Sequence, residues 1–389
     1  MRDVILQKLR RVTSSSLFIP EIDGLRFLAI AWVVLFHIDI FIQGKNPFLF
    51  TTSPDNYPLL SIFLSNGSRG VELFFVISGF ILALPFAKKF IAGMKDVNIK
   101  AYFLRRLTRL EPPYIFNMIL CFVFLVLIGK YNAEEIWSSL LASLVYLHNI
   151  LPVGPSVNGV AWSLEIEVQF YILAPLLSCV FFLSKNIRRG VIAGAIIILI
   201  YLQSTYQPFS FLTLYDYIQY FLIGFLLADI YLEKPSLSIS RWASIVVGLA
   251  LLGIIFYINI GGVGTEILLL LAIFCLYVLA LNDHVWRGVF STWWITLIGG
   301  MCYTIYLWHY VVISFIGNKS ILFFSSESYI TTLIVQGLIY IPAVLVVSTI
   351  FYMLIERPCM DKTWPKKLIG FFRKNLPPDR SDNTTSGYV

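Results

Sequence analysis

The ionisable side chains of Arg26 and His37 lie within an apolar run typical of a helix in a lipid bilayer, GLRFLAIAWVVLFHIDIF (residues 24–41). At about 100° and 1.5 Å per residue, both project from one helical face and stand ~16 Å apart along the axis. With Arg26 at one membrane boundary, His37 comes near the middle of a ~30 Å hydrocarbon layer. A histidine at that depth faces the protein interior or a water-filled cavity. It could serve as a general base or simply be satisfied by a neighbouring helix.

A second polar set lies in the stretch VAWSLEIEVQFYILAP (residues 160–175). Ser163 and Glu167 are four residues apart and therefore share a helical face. Glu167 would lie roughly 10 Å below the outer boundary, near the depth of His37. A carboxylate beside an imidazole can hold it in the tautomer that a general base needs. Glu165 points nearly opposite and is expected at a loop end or a helix contact.

A cluster of arginines precedes another apolar run, in AYFLRRLTRLEPPY (residues 101–114). Arg106 and Arg109 are three residues apart, on one helical face. Guanidinium groups bind phosphate well, so the pair could hold a phosphate-bearing donor whose reactive end reaches His37. The alternative is anchoring of the helix at the cytoplasmic membrane surface.

The elements that would position these groups are membrane helices. The chain of 389 residues is 58% hydrophobic and 13% charged, with a mean hydropathy of +0.80, whereas soluble proteins carry about 25% charged residues. We predict an all-α polytopic protein, with residues 137–151 forming a re-entrant or interfacial helix. The ten predicted spans are 25–43, 70–87, 113–129, 160–183, 190–204, 211–231, 242–259, 264–281, 292–316 and 329–355.

The distribution of charge predicts the orientation. With the N-terminus inside, most of the 29 lysine and arginine residues fall in cytoplasmic segments, so both termini are predicted to be cytoplasmic. Residues 1–24 form an extension, 25–355 one membrane domain, and 356–389 a tail whose end is expected to be disordered. The net charge of +7 reflects this orientation and contact with anionic lipid, without nucleic acid. The five dispersed cysteines predict apolar packing and no metal site.

Six short stretches resemble, in order, the motifs of the acyltransferase-3 family of multi-pass membrane O-acyltransferases, which modify bacterial surface glycans. They are EIDGLRFLAIAWVVLFH, GVELFFVISGFIL, RLTR, WSLEIEVQFY, MCYTIYLWH and ERP. Cys302 stands where the family more usually has serine, and Glu72 where aspartate is common. The resemblance implies ten membrane helices in the bacterial cytoplasmic (inner) membrane. It also leads us to expect the stand-alone form, without an SGNH hydrolase-like domain.

The resemblance further implies an acyl-CoA co-substrate on the cytoplasmic side, most often acetyl-CoA, and no bound cofactor. The acceptor would be a hydroxyl of a lipid-linked or exported glycan, such as the O-antigen of lipopolysaccharide or an exopolysaccharide. His37 would take the proton of the acceptor hydroxyl, and direct transfer is expected. The candidate catalytic residues are His37, Glu167 and Ser163, and the candidate donor-binding residues are Arg26, Arg106 and Arg109. His309, among aromatic residues, is interpreted as more often structural than functional.

A transporter or glycolipid flippase is the alternative, because intramembrane Arg, His and Glu also line transport paths. Transporters often have broken helices at matching positions in two related halves. Here the polar motifs are concentrated in the first 171 residues, which favours a single site.

Overall fold

The computed structural model describes residues 9–11, 18–45, 54–151, 153–209, 211–233, 239–361 and 363–364. Over these ranges the chain is helical and has no β-strand, which confirms the predicted class. Most of the predicted N-terminal extension and the end of the tail lie outside the described residues. The helices are α1 (Pro20–Lys45), α2 (Pro58–Ser65), α3 (Gly70–Ala92), α4 (Ile99–Leu127), α5 (Ala133–Leu144), α6 (Trp162–Leu177), α7 (Lys185–Thr205), α8 (Leu214–Glu233), α9 (Arg241–Tyr257), α10 (Val263–Asn282), α11 (His284–Phe290), α12 (Trp293–Gly300), α13 (Cys302–Phe323), α14 (Tyr329–Phe351) and α15 (Arg357–Cys359).

Seven helical segments of the described ranges are long and apolar enough to cross a bilayer, and α12 with α13 would make an eighth span if the bent pair crosses as one. The protein is therefore a multi-pass membrane protein. Helices α8 and α9 coincide with the predicted spans 211–231 and 242–259, but α9 has only 17 residues and α8 contains Asp216, Asp229 and Glu233. The number of ten spans stays a prediction. The segment 137–151 contains the end of α5 followed by turns.

Helix α1 lies at the centre of the bundle, packed against α3, α12, α13 and α14. Leu25, Ala29 and Val33 on this helix are completely buried. Because more than half of the apolar part of α1 is buried against other helices, polar residues of α1 meet side chains of those helices. The bundle therefore supplies the protein environment that an ionisable residue in mid-membrane requires.

Helices α12 and α13 form a pair bent by 69°, and glycines allow the first of them to approach α1 closely. A Cβ atom at Gly299 would lie 1.7 Å from the carbonyl oxygen of Asp23, so no larger residue can occupy this position without moving the backbone. Small residues of this kind permit close helix contacts in membranes. The contact sets α13 beside α1, with Cys302 and His309 on the side facing the polar residues of α1.

The orientation can be tested with reporters. A reporter fused after Val389 should be active on the cytoplasmic side, and one inserted within residues 44–56 should be accessible from outside. The reason is that segments rich in lysine and arginine stay on the cytoplasmic side of the membrane. Fluorescence and alkaline phosphatase fusions measure the two sides. The opposite pair of signals would overturn the predicted arrangement.

Candidate active site

The centre of the candidate site is a pair of histidines from α1 and α13. The Nδ1 atom of His37 lies 3.2 Å from the Nε2 atom of His309, and the ring centroids are 4.7 Å apart. His309 is completely buried, whereas His37 is partly exposed. The residue with access to a substrate is therefore His37, and His309 supports it from behind.

The hydrogen bonds assign the tautomers of both rings. The Nδ1 atom of His309 lies 2.7 Å from the carbonyl oxygen of Tyr306, and a carbonyl can only accept, so this nitrogen carries the proton. Its Nε2 is then an acceptor for His37. The Nδ1 atom of His37 also lies 2.9 Å from the carbonyl oxygen of Val33 and must be the donor. The Nε2 atom of His37 consequently has a free lone pair, as a general base requires.

Ser163 is connected to this pair through Tyr306 but does not touch His37. The hydroxyl of Tyr306 donates to the carbonyl oxygen of Val160 over 2.9 Å, so the Ser163 hydroxyl, 2.6 Å away, donates to Tyr306. The carbonyl oxygen of Tyr306 in turn accepts a hydrogen bond from Nδ1–H of His309. Ser163 therefore anchors the turn of α13 that orients the histidine pair.

Glu167 has different partners from those the sequence suggested. Its carboxylate accepts hydrogen bonds of 2.5 Å from Ser78 on α3 and from Tyr171 on α6. The two hydrogen bonds of His37 go to Val33 and His309, and Glu167 makes none with it. Tyr171, whose hydroxyl donates to Glu167, also lies with its ring centroid 5.7 Å from the Arg106 guanidinium. The Glu167 carboxylate is thus held by two hydroxyl groups and not by the imidazole.

Arg106 and Arg109 turn into the protein while Arg105 is exposed. The Arg106 guanidinium lies 3.7 Å from the ring centroid of Tyr102 and 5.7 Å from that of Tyr171. It also donates to the Tyr102 carbonyl oxygen over 2.8 Å. Stacked guanidinium groups of this kind keep edges free for further hydrogen bonds.

Arg109 is held loosely by a buried carboxylate. Its Nη2 atom lies 3.9 Å from Oε1 of Glu356, which belongs to the ERP motif and is completely buried. The other oxygen of Glu356 accepts from Thr304. Neither Nε of Arg109 nor Oε1 of Glu356 has a hydrogen-bond partner. The Arg109 guanidinium therefore keeps donor capacity for a ligand.

Arg26 completes the charged end of the site. Its Nη1 atom lies 2.5 Å from the carboxylate of Asp23, which Arg11 also contacts at 3.0 Å. Arg26, Arg106 and Arg109 are thus on the interior of the bundle, on the side of His37 predicted to be cytoplasmic. No cluster of residues capable of holding a metal ion occurs in the described part of the chain.

Sequence reasoning left Tyr306 and Ser78 out of the site, and it interpreted His309 as more often structural than functional. All three lie in stretches that resemble family motifs, MCYTIYLWH and GVELFFVISGFIL, which was the available signal. Nothing in the local sequence indicates their partners, however, because each partner comes from a different helix.

The sequence pattern of the family described as Acyltransferase domain matches residues 19–353. A Staphylococcus aureus (strain COL) protein assigned by inference as an O-acetyltransferase is 24% identical over 331 residues, covering 77% of this chain and 51% of that protein. The O-acetyltransferase OatA of Staphylococcus aureus (strain MRSA252) is 25% identical over 403 residues, covering 92% of this chain and 61% of that protein. The chain thus spans about half to three fifths of the length of these relatives. No solved structure matches it.

Proposed function

The chain belongs to the acyltransferase family whose domain it matches over residues 19–353, and we propose that it is a membrane O-acetyltransferase that uses cytoplasmic acetyl-CoA. The observation that carries the proposal is the His37–His309 pair, which leaves an unprotonated Nε2 on His37 inside the bundle. The guanidinium groups of Arg26, Arg106 and Arg109 accompany it on the side predicted to be cytoplasmic. A base inside the membrane and phosphate-binding groups at its edge are what transfer from CoA needs.

The chemistry proceeds by direct transfer. The acceptor hydroxyl gives its proton to Nε2 of His37 while its oxygen attacks the thioester carbonyl carbon. The new C–O bond forms, the C–S bond breaks, and the departing CoA sulfur takes the proton from His37. His309 accepts the Nδ1–H of His37 throughout and stabilises the positive charge that develops on the imidazole.

The two substrates approach from opposite sides of the membrane. Arg106 and Arg109 hold the phosphates of the donor, and Arg26 lines the same entrance. Glu167 offsets part of this positive charge, so that the product CoA can leave. The proposed acceptor is a hydroxyl of a lipid-linked or exported glycan at a bacterial cytoplasmic membrane. The names of the relatives support O-acetyl transfer.

The proposal is tested with the purified full-length protein in vesicles made from lipid-linked glycan and supplied with radiolabelled acetyl-CoA. Label should move to the glycan, and mass spectrometry should show the gain of one acetyl group. Movement of unmodified glycolipid between the leaflets, without consumption of acetyl-CoA, would identify a flippase instead.

The donor-binding role of the arginines gives a separate prediction. Replacing Arg106 and Arg109 by lysine should raise the KM for acetyl-CoA about tenfold, with a smaller effect on the acceptor KM, because lysine cannot form the two-pronged contact of guanidinium with phosphate. Lysine retains a positive charge beside Glu356, which limits destabilisation. Arg105→Lys, on the exposed face of the same helix, is the matched control. Equal KM values in all variants would show that Arg106 and Arg109 only anchor the helix at the membrane surface.

A further inference from the structure

A cavity of about 250 Å³ lies at the end of the bundle predicted to be cytoplasmic, where the first described residues meet the start of α12. It is separate from the histidine pair and adjoins the Asp23 end of α1. The lining residues that matter here are Arg10, Arg11, Phe18, Asp23, Trp293 and Thr296.

The cavity carries excess positive charge. Arg11 and Arg26 share the single carboxylate of Asp23, and Arg10 adds a further guanidinium, 4.5 Å from the Phe18 ring centroid. Burial lowers the pKa of Arg11 to about 9, and the charges of Arg109 and Arg26 act in the same direction. The Nε atom of Arg11 is buried without a hydrogen-bond partner. An anion in the cavity would relieve this repulsion and satisfy the donor.

The N-terminal end of α12 also favours an anion in the cavity. The amide of Thr296 bonds to the carbonyl of Thr292, so the amides of residues 293–295 precede the first intrahelical bond of this helix. Such amides and the helix dipole favour a phosphate group. Of these three residues Trp293 lines the cavity, together with Arg10 and Arg11.

Aromatic rings line the same space. Trp293 keeps 40% of its surface exposed, and Phe18 is only partly buried. Aromatic faces stack on nucleic bases, which all have a flat π surface. A cavity that combines guanidinium groups, helix amides and aromatic faces suits a phosphorylated nucleoside better than a free inorganic anion or a lipid headgroup.

The cavity is also placed along the path to the base. Asp23 lies on α1, and at about 1.5 Å per residue His37 stands roughly 21 Å further along the same helix. A ligand bound here can react at His37 only through a long flexible arm. The pantetheine arm of CoA is such a connection between a nucleotide and a thioester.

We infer that this cavity binds the adenosine 3′,5′-bisphosphate end of the acyl donor, so that Arg10, Arg11, Phe18 and the start of α12 form the nucleotide subsite. The identity of the donor rests on the proposed function. The subsite is distinct from Arg106 and Arg109, which would hold the phosphates nearer to the pantetheine arm.

The test uses the full-length protein in nanodiscs, with free adenosine 3′,5′-bisphosphate as the binding probe. Arg10→Glu should weaken its binding at least tenfold and raise the KM for acetyl-CoA by a similar factor. The KM for S-acetylpantetheine, which lacks the nucleotide, should be unchanged. Arg241→Glu, at an exposed arginine that begins α9, is the control. If Arg10→Glu fails to fold, Trp293→Leu should likewise raise the KM for acetyl-CoA and leave the KM for S-acetylpantetheine unchanged.

The outcomes separate the two proposals. Unchanged bisphosphate binding in Arg10→Glu and Trp293→Leu, with transfer intact, would overturn the nucleotide subsite and leave the acetyltransferase in place. Bisphosphate binding that depends on Arg10 in a protein without transfer activity would support the subsite and contradict the proposed function. Competition by phosphatidylglycerol in the nanodisc, with no discrimination between the bisphosphate and inorganic phosphate, would show a lipid headgroup site and overturn the inference.

Discussion

Replacement of His37 by alanine should reduce the rate of acetyl transfer per folded molecule by about 10²–10⁴, the usual contribution of a general base. The KM values for acetyl-CoA and acceptor should change little, because the phosphate-binding groups lie elsewhere. Nε2 of His37 is the only nitrogen of the histidine pair left without a proton and without a hydrogen bond within the described part of the chain.

The measurement is the transfer rate in vesicles, normalised to folded protein by size-exclusion chromatography. His284→Ala, at an exposed histidine at the start of α11, is the matched control and should transfer normally. Transfer at an unaltered rate in the His37→Ala protein would show that His37 is not the general base.

Replacement of His309 by leucine should lower kcat about 10- to 100-fold with little change in either KM. Leucine fills the site but cannot accept the Nδ1–H of His37, so the tautomer and the developing charge lose their support. His309→Gln should recover much of the rate, because its side-chain oxygen can accept from His37 while its amide donates to the Tyr306 carbonyl.

The comparison of leucine with glutamine distinguishes positioning from packing. A purely structural His309 would show its effect in protein abundance and thermal stability, with kcat per folded molecule alike in both variants. Thermal unfolding in detergent and kcat should therefore be measured on the same preparations. Equal kcat values for wild type, leucine and glutamine variants would contradict the positioning role.

Much of this architecture was predictable because membrane helices are encoded locally. The length and apolarity of a segment decide whether it can cross the bilayer, and the all-helical class followed from that alone. The helical period also placed Arg26 and His37 on one face, and Arg106 with Arg109 on one face of another helix. These are properties of single helices, so one segment of sequence is enough to predict them.

Which polar groups meet was decided by the tertiary structure. His37 and His309 are 272 residues apart, Ser163 and Tyr306 are 143 apart, and Ser78 and Glu167 are 89 apart. Depth in the membrane made Glu167 a reasonable partner for His37, but depth does not specify the rotation of one helix against another. That rotation is set by packing, such as the close contact of Gly299 with the Asp23 backbone. It directs His309 to the imidazole and Glu167 to the hydroxyl groups of Ser78 and Tyr171.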